Sequence, residues 1–307
     1  MPVLDENLIQ RLMLMALTIW LTATLTFFTL RVLPGDAIYT QLAQGGASLA
    51  DIEETQAQMG LDAPVTVQYF RFITGLVRGD LGDSLLSQYP VNEMIKERFQ
   101  PTALLAVSTI VIAAIAGIGL GIAGAFDSIF SLFARFLITL SISTPIYWTG
   151  TLAIVVFSAQ LHWFPSTGTG RLEHLILPVG VLAFHTMGGI ARVVQVNVIE
   201  VRHMAFVWVA RSKGLPERVI ILRHILRVGL LPAITVIALQ TGFLLSGTVI
   251  TESLFVRPGI GRLLLDSVIK QDYPIVQGIV ILSAILYITL NTLADIVQRF
   301  IDPRIAI

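Results

Sequence analysis

The stretch FVWVARSKGLPERVIILRHILRVGLLP, from Phe206 to Pro232, lies between apolar runs at about 175 to 199 and 230 to 251. Arg202 precedes it, and within it Arg211, Lys213, Arg218, Arg223 and Arg227 are opposed only by Glu217. Short loops rich in Lys and Arg stay on the cytoplasmic side of a membrane, so the flanking runs read as spans and this segment as their cytoplasmic link. Gly214 marks a small-residue turn between two short helix-prone pieces, and Pro216 suits the first turn of the second. A rigid helix held across the ends of two spans is suited to pass displacement into them. The same residues also fit a solvated loop that only sets orientation.

Working outward, further apolar runs occupy about 9 to 32, 102 to 126, 132 to 157 and 275 to 297. A span needs about 20 mainly apolar residues, so six use roughly 130 of the chain. The 307 residues are 55% hydrophobic and 13% charged, with a mean hydropathy of +0.80, against roughly 25% charged in soluble domains. The fold class is therefore an all-α polytopic membrane protein with six transmembrane helices. The first run follows Arg11 and exceeds the roughly 7 to 15 apolar residues of a signal peptide, so it reads as a retained anchor. With the basic loop inside, six spans put both termini in the cytoplasm, and Arg11, Arg135, Arg299 and Arg304 fall on that side. The resulting plan is an anchor helix over 1–33, a small helical extracytoplasmic region over 34–98, and a five-helix core over 99–300. The core includes the cytoplasmic loop 203–227, and 301–307 form a cytoplasmic tail. The outer region is rather acidic, with Asp36, Asp51, Glu53, Glu54, Asp62, Asp80 and Asp83.

Composition also excludes functions. Twenty basic residues balance twenty acidic ones, which removes the cationic surface of a nucleic-acid binder. There is no cysteine, hence no disulfide framework, thiolate metal site or cysteine nucleophile. No G-x-x-x-x-G-K-[ST], H-E-x-x-H or G-x-S-x-G occurs. The five histidines, at 162, 174, 185, 203 and 224, lack metal-site spacing. His203 and His224 read as solvated or packing residues of the basic loop. No catalytic and no metal-ligating residue is assigned, and the chain does not read as an enzyme.

Polar groups inside spans tend to face other helices or a water-filled path. His185, Gly188, Arg192 and Gln195 recur at helical spacing on the fourth span, Thr241, Thr248 and Glu252 on the fifth, and Asn291, Asp295 and Gln298 on the sixth. They either line a hydrated path or hold the bundle together by interhelical hydrogen bonds. Ser143-Thr144-Pro145 predicts a kink in the third span, its hydroxyls able to satisfy freed carbonyls. Gly117, Gly119, Gly121 and Gly124 would permit close helix approach.

Along the chain stand RVLPGD (Arg31 to Asp36), MGLDAPVTVQYFRFITGLVRGDLGDS (Met59 to Ser84), Pro90-Val91, ERFQPT (Glu97 to Thr102) and ILP (Ile176 to Pro178). Further on come ARSKGL (Ala210 to Leu215), RHILR (Arg223 to Arg227), GTVITESLFVRPGIGRLLLDSVIKQDYPIVQ (Gly247 to Gln277) and DPRI (Asp302 to Ile305). In the order and spacing of these motifs the chain resembles the permease subunits of ATP-binding-cassette importers, in the dipeptide/oligopeptide/nickel group, as its first (B-type) membrane subunit. The resemblance covers nearly the whole chain. Two features depart from the general importer pattern: Trp208 stands where an acidic residue is usual, and Pro232 lies further from Gly214. Both fit this group's variant form.

The resemblance implies a type I importer permease fold and a mechanical coupling loop in which Ala210, Arg211, Lys213, Gly214, Leu215, Arg218 and His224 meet an ATPase subunit. It implies a heteromeric complex in a bacterial inner membrane, in contact with lipid. The partners would be a second similar permease, two ATP-binding subunits and an extracytoplasmic solute-binding protein. ATP and Mg would bind those ATPase partners, and no cofactor this chain. Pro145, His185, Arg192, Gln195, Thr241, Thr248 and Glu252 are then candidates for the translocation path. Solutes of the group are peptides, nickel or its chelates, glutathione and opine-like compounds; His185 and Arg192 would favour an anionic or chelating one. GIGRLLLDSVIKQDYP (Gly259 to Pro274) reads as a re-entrant or surface element beside the path, or as an amphipathic interfacial helix. GDLGDS (Gly79 to Ser84) lacks the lysine of a phosphate loop and reads as a structural turn. The competing reading is an ion-gradient-driven transporter or channel subunit using Glu252, Asp295 or His185, although no internal repeat supports it.

Overall fold

The structure, a computed structural model, describes residues 2–32, 48, 50, 57, 60, 62–126 and 129–301, with side chains from Gln10 onward except at 11, 12 and 299–301. Asp36, Asp51, Glu53, Glu54 and the DPRI segment lie outside the described residues. The elements are α1 (Pro2–Val32), α2 (Val65–Val77), α3 (Val91–Ala125), α4 (Ile129–Ser143), α5 (Ile146–Gln160), α6 (Glu173–Arg202), α7 (Ala205–Ser212), α8 (Glu217–Gly229), α9 (Leu231–Leu245), α10 (Val249–Leu254), α11 (Ile260–Ile269) and α12 (Tyr273–Ile301). Among the described residues there is no strand, only an antiparallel bridge between Asp83 and Pro90.

Four helices are long and apolar enough to cross a membrane alone: Met13–Val32, Val91–Ala125, Glu173–Arg202 and Tyr273–Gln298. Two bent pairs, α4 with α5 and α8 with α9, bring the number to six if each pair is one span. The kink expected at Pro145 is a break of 104°, far larger than a proline bend in a continuous helix. The fifth apolar run also differs from its sequence reading. Its helix stops at Leu245, Gly247 takes a φ of +105°, and a new helix starts at Val249. Thr241 therefore shares no helix face with Thr248 and Glu252.

The chain divides into two compact units. One comprises residues 1–102, 246–249 and 258–288. Its core joins Val91 and Ile95 of α3 to Ile260 of α11 and Ile275 and Ile279 of α12. A side chain on Gly278 would meet Val91 and Ile95 at 2.9 to 3.0 Å, so glycine is what lets α12 approach α3. The buried Asp272 carboxylate accepts hydrogen bonds from the Ser84 hydroxyl at 2.5 Å and the Leu85 N–H at 3.1 Å. That tie fixes the loop after GDLGDS, where Gly79 and Gly82 both have positive φ, as a structural turn requires. Phe27 of α1 is fully buried against Tyr69 and Phe72 of α2, with ring centroids 5.3 Å away.

The other unit comprises residues 103–245, 250–257 and 289–307. Its largest core runs from Leu105 and Ala113 of α3 through Ile190, Val194 and Val198 of α6 to Ile220 and Ile225 of α8. Apolar lipid gives little drive for helix association, so close backbone packing has to supply it. Ideal Cβ atoms on Gly117 and Gly121 would lie 2.9 and 2.7 Å from the carbonyl oxygens of Met187 and Ala191, and one on Gly124 would lie 3.2 Å from the Gln195 amide. These three share one face at i, i+4 and i+7. Gly119 points elsewhere, into open space, so it does not join them.

Gly121→Ala should cost about 1–3 kcal/mol, because the obstructing atoms include backbone, and should lower the unfolding midpoint in detergent. Gly119→Ala should leave the midpoint unchanged or slightly raised. Equal midpoints for the two variants would refute this packing.

Candidate functional sites

The basic loop folds as read from its punctuation. Helix α6 ends at Arg202, whose guanidinium donates to the Ala125 carbonyl at the end of α3 and lies 4.7 Å from the Phe126 ring centroid. Met204 is extended, and α7 follows. Gly214 closes α7 with φ +74°, its N–H donating to Arg211 O at 2.9 Å, while the Leu215 N–H reaches Ala210 O at 3.3 Å. An αL glycine with these back-bonds satisfies carbonyls that the helix end would orphan. Pro216 is extended and precedes α8, one place earlier than the first-turn position.

Val207 and Ala210 of α7 are buried, and so are Ile220 and Ile225 of α8, in the same core. The opposite side presents Phe206, Val209, Leu215 and Leu222, with Trp208 58% exposed. Arg211 forks onto Glu217, Nη2 to Oε1 at 2.6 Å and Nε to Oε2 at 3.2 Å. That hydrogen bond holds the Glu217 carboxyl below its ordinary range and raises Arg211 further. Of the sequence-assigned coupling residues, Ala210 is core-facing, Arg211 is in the fork, and Lys213, Gly214, Leu215 and Arg218 are exposed. His224 lies on the π-helical part of α8, Ile220–Ile225.

The polar stripe of α6 is largely engaged within the chain. Gln195 Nε2 donates to Gly124 O at 3.1 Å. Gly188 packs against the Ser141 side chain of α4. Arg192 alone of the four is exposed.

His185 explains how the 104° break is tolerated. Proline has no N–H, so Pro145 cannot donate to Ser141 O four residues back. His185 Nδ1 lies 2.9 Å from that orphaned carbonyl and must be the protonated donor. Across the break its Nε2 is 2.7 Å from Thr149 Oγ1 of α5, a hydroxyl that is also 3.0 Å from Ile146 O. A neutral ring accepts the hydroxyl proton; a charged ring donates to the hydroxyl, which turns its proton to Ile146 O. The staple therefore holds in either state. Thr144 Oγ1 meanwhile donates to Leu140 O at 2.8 Å. The proline announced the break, but its histidine partner was invisible, because helical spacing gives a face and not what meets it.

Elsewhere, Thr241 Oγ1 donates to Ile237 O at 2.7 Å on its own helix. Thr248 and Glu252 are buried. Arg257, missed at the sequence level, is buried beside Glu252; its backbone N–H bonds Glu252 O at 2.8 Å and its Nη1 donates to His174 O at 3.3 Å. Gln298 of α12 donates to Leu231 O at 3.2 Å and to Thr235 Oγ1. Asn291 and Asp295 are half-buried. Among the described residues no cluster of His, Asp and Glu is able to hold a metal ion.

Among the described residues the chain is helical throughout, and its glycine-packed spans, broken spans and ordered basic elbow define a polytopic membrane protein. Two family models match it: the binding-protein-dependent transport system inner membrane component over residues 115–307, and the N-terminal membrane component of the same systems over residues 5–106. The chain belongs to this family, the permeases of ATP-binding-cassette importers, within its peptide-transport group. A putative peptide transport system permease protein of Brucella suis biovar 1 is 35% identical over 295 residues, 93% of this chain and 94% of the relative. The glutathione transport system permease protein GsiC of Pectobacterium atrosepticum is 36% identical over 304 residues, 97% of each. Among solved structures, an amino acid ABC transporter aligns with a TM-score of 0.55 at 14% identity, over 68% of this chain and 94% of that one. The methionine transporter MetNI aligns with the same score at 13% identity, over 68% and 96%. The fold is that of type I importer permeases.

Two predictions follow from the geometry. His185→Phe leaves Ser141 O unpaired and should cost about 1–3 kcal/mol in unfolding free energy. In a Pro145→Ala background, where an N–H is restored, the same change should cost clearly less, and strict additivity in the double-mutant cycle would count against the staple. The second concerns Glu217. Because its folded pKa lies below the ordinary value of 4.5, the stability from the fork is present above that value and lost as pH falls through the depressed one. With Trp20, Trp148 and Trp163 replaced by Phe, Trp208 fluorescence should show an acid transition below pH 4.5 that Glu217→Gln removes.

Proposed function

We propose that this chain forms half of the translocation pathway of an ATP-driven importer in a bacterial inner membrane, both termini cytoplasmic, for peptides or related solutes. Glutathione is the transport named for several relatives; nickel or a nickel chelate rests only on the sequence resemblance. A second permease completes the path, an extracytoplasmic binding protein delivers solute, and two ATPase subunits bind ATP and Mg. Residues 203–227 meet the ATPases. The observation that carries this is the elbow itself. One side of α7 and α8 is locked into the core by Val207, Ala210, Ile220 and Ile225, while the other offers Trp208, Val209 and Leu215 beside Lys213 and Arg218.

An element fixed to the spans and apolar towards water transmits force only if a partner grips it differently in its two nucleotide states. Closure of the ATPase dimer would then turn the bundle outward, and hydrolysis would return it. Arg202, tying the start of the elbow to the ends of α6 and α3, makes that grip act on two helices together.

Gly214→Val tests this with little steric ambiguity. A Cβ there meets nothing within 4 Å, so the φ of +74° is the main cost. Backbone strain of about 1–3 kcal/mol in the elbow should lower ATP-dependent uptake by the reconstituted complex about tenfold or more, while the ATPases still co-purify and hydrolyse. Undiminished uptake by Gly214→Val, or uptake by the purified chain alone without ATP, would overturn the reading.

A further inference from the structure

A cavity of about 230 Å³ lies wholly within the unit built from residues 1–102, 246–249 and 258–288, apart from the elbow and the α6 stripe. It is lined by Arg31 of α1, Arg71 and Phe72 of α2, Asp80, Gln277 of α12, and Phe27. Gln277 is only 5% exposed, yet its Nε2 has no hydrogen-bond partner. Arg31 stacks on Phe27 with its guanidinium carbon 3.5 Å from the ring centroid. It donates to Gln68 Oε1 through Nε and Nη2 and to Phe27 O through Nη1. Three of its five N–H groups are used and two remain. Arg71 brings a second guanidinium from an exposed position.

The cavity thus sets two guanidinium groups beside one carboxylate, Asp80. That suits a group carrying both an anionic oxygen and an amine. Placement selects the source. Arg31 ends the span Met13–Val32, and Gln277 lies in the first turns of the span Tyr273–Gln298. Both are at the depth where hydrocarbon gives way to headgroups. The walls also change character over one cavity, from guanidinium and amide to the rings of Phe27 and Phe72. A phosphodiester with carbon chains attached matches both.

We infer that the cavity lined by Arg31, Arg71 and Gln277 is a phospholipid headgroup site, in which the lipid phosphate accepts hydrogen bonds from the two guanidinium groups. Phe27 and Phe72 flank the glycerol end of the lipid. Asp80, whose Oδ1 already accepts the Gly82 N–H at 2.9 Å, leaves its second oxygen to a headgroup amine. Ethanolamine lipid is thus preferred over glycerol lipid, and choline lipid, lacking an N–H, over neither.

The test uses the full chain in the assembly that co-purifies with it, washed extensively in detergent, exchanged into nanodiscs of defined lipid and then analysed by native mass spectrometry. The wild type should retain phosphatidylethanolamine after release. Arg71→Gln, a change at an exposed position that leaves the core intact, should lower retention about tenfold, as expected for one lost charge-assisted hydrogen bond. Arg78→Gln, the same charge removed just beyond α2 and outside the cavity, should leave retention unchanged. Equal retention by wild type and Arg71→Gln, or an equal loss in Arg78→Gln, would overturn the site. So would protection by inorganic phosphate in place of lipid.

Discussion

Within hydrocarbon no water is present to satisfy a peptide group, so every carbonyl or N–H released from a helix must find another partner in the protein. The break between α4 and α5 is where this constraint is felt most. The chain turns through 104° inside an apolar run, and Pro145 removes the donor that would have served Ser141 O. A polar side chain from a third helix, His185, takes that carbonyl and reaches past the break to Thr149. Without such a partner the sharp turn would expose an unpaired backbone oxygen in the membrane interior. The position of α6 is thereby tied to the geometry of the break, because His185 serves it only from a fixed register. Gly188, one turn further along α6, admits the Ser141 side chain and holds that register.

From α6 the constraint passes to α3. The Gly117, Gly121 and Gly124 face brings the two backbones close enough for carbonyls of α6 to block any added methyl. Gln195 then donates to Gly124 O and Arg202 to Ala125 O, so carbonyls at the end of α3 are capped by α6. Arg135 of α4 also donates to Gly124 O, at 2.9 Å. Three helices thus share one set of helix-end acceptors just where the chain leaves α6 for the elbow. The polar residues of α6 serve mainly as interhelical ties, and Arg192 is the member left facing outward.

How much of this was legible in the sequence depends on whether the deciding signal was local. The spans were legible, since hydropathy over about 20 residues measures what a bilayer requires. So was the elbow, because Gly214 and Pro216 fix backbone angles by themselves. Pro145 announced a break but not its size, which depends on the partners that Ser141 O and Thr149 find at His185. The stop at Leu245 was missed. Ser246-Gly247-Thr248 sits in an otherwise apolar run, and hydropathy does not register that Gly247 must turn to a φ of +105°, with room for no more than hydrogen where it meets Gly261 at 2.7 Å. Gly119 failed for the opposite reason: composition counted it with its neighbours, though its place on the helix points it away from them.

These differences in packing bear on the proposed transport cycle. Bundles move by rigid-body displacement of tightly packed parts about a few positions that absorb changes in φ and ψ. The α3–α6 pair is closely packed, since neither Gly117 nor Gly121 leaves room for a methyl group against α6. It is suited to move as one body. The candidates for absorbing motion are the interruptions: Pro145, the 46° bend between α8 and α9, and the turn at Gly247. The bend directly follows the elbow, and Pro232 within it withholds the N–H that Val228 O would have received. A pull on α7 and α8 therefore meets a stiff connection at Arg202 on one side and a softer joint at Leu230 on the other. Such an asymmetry would turn displacement of the elbow into rotation of one span against another rather than into translation of the whole unit.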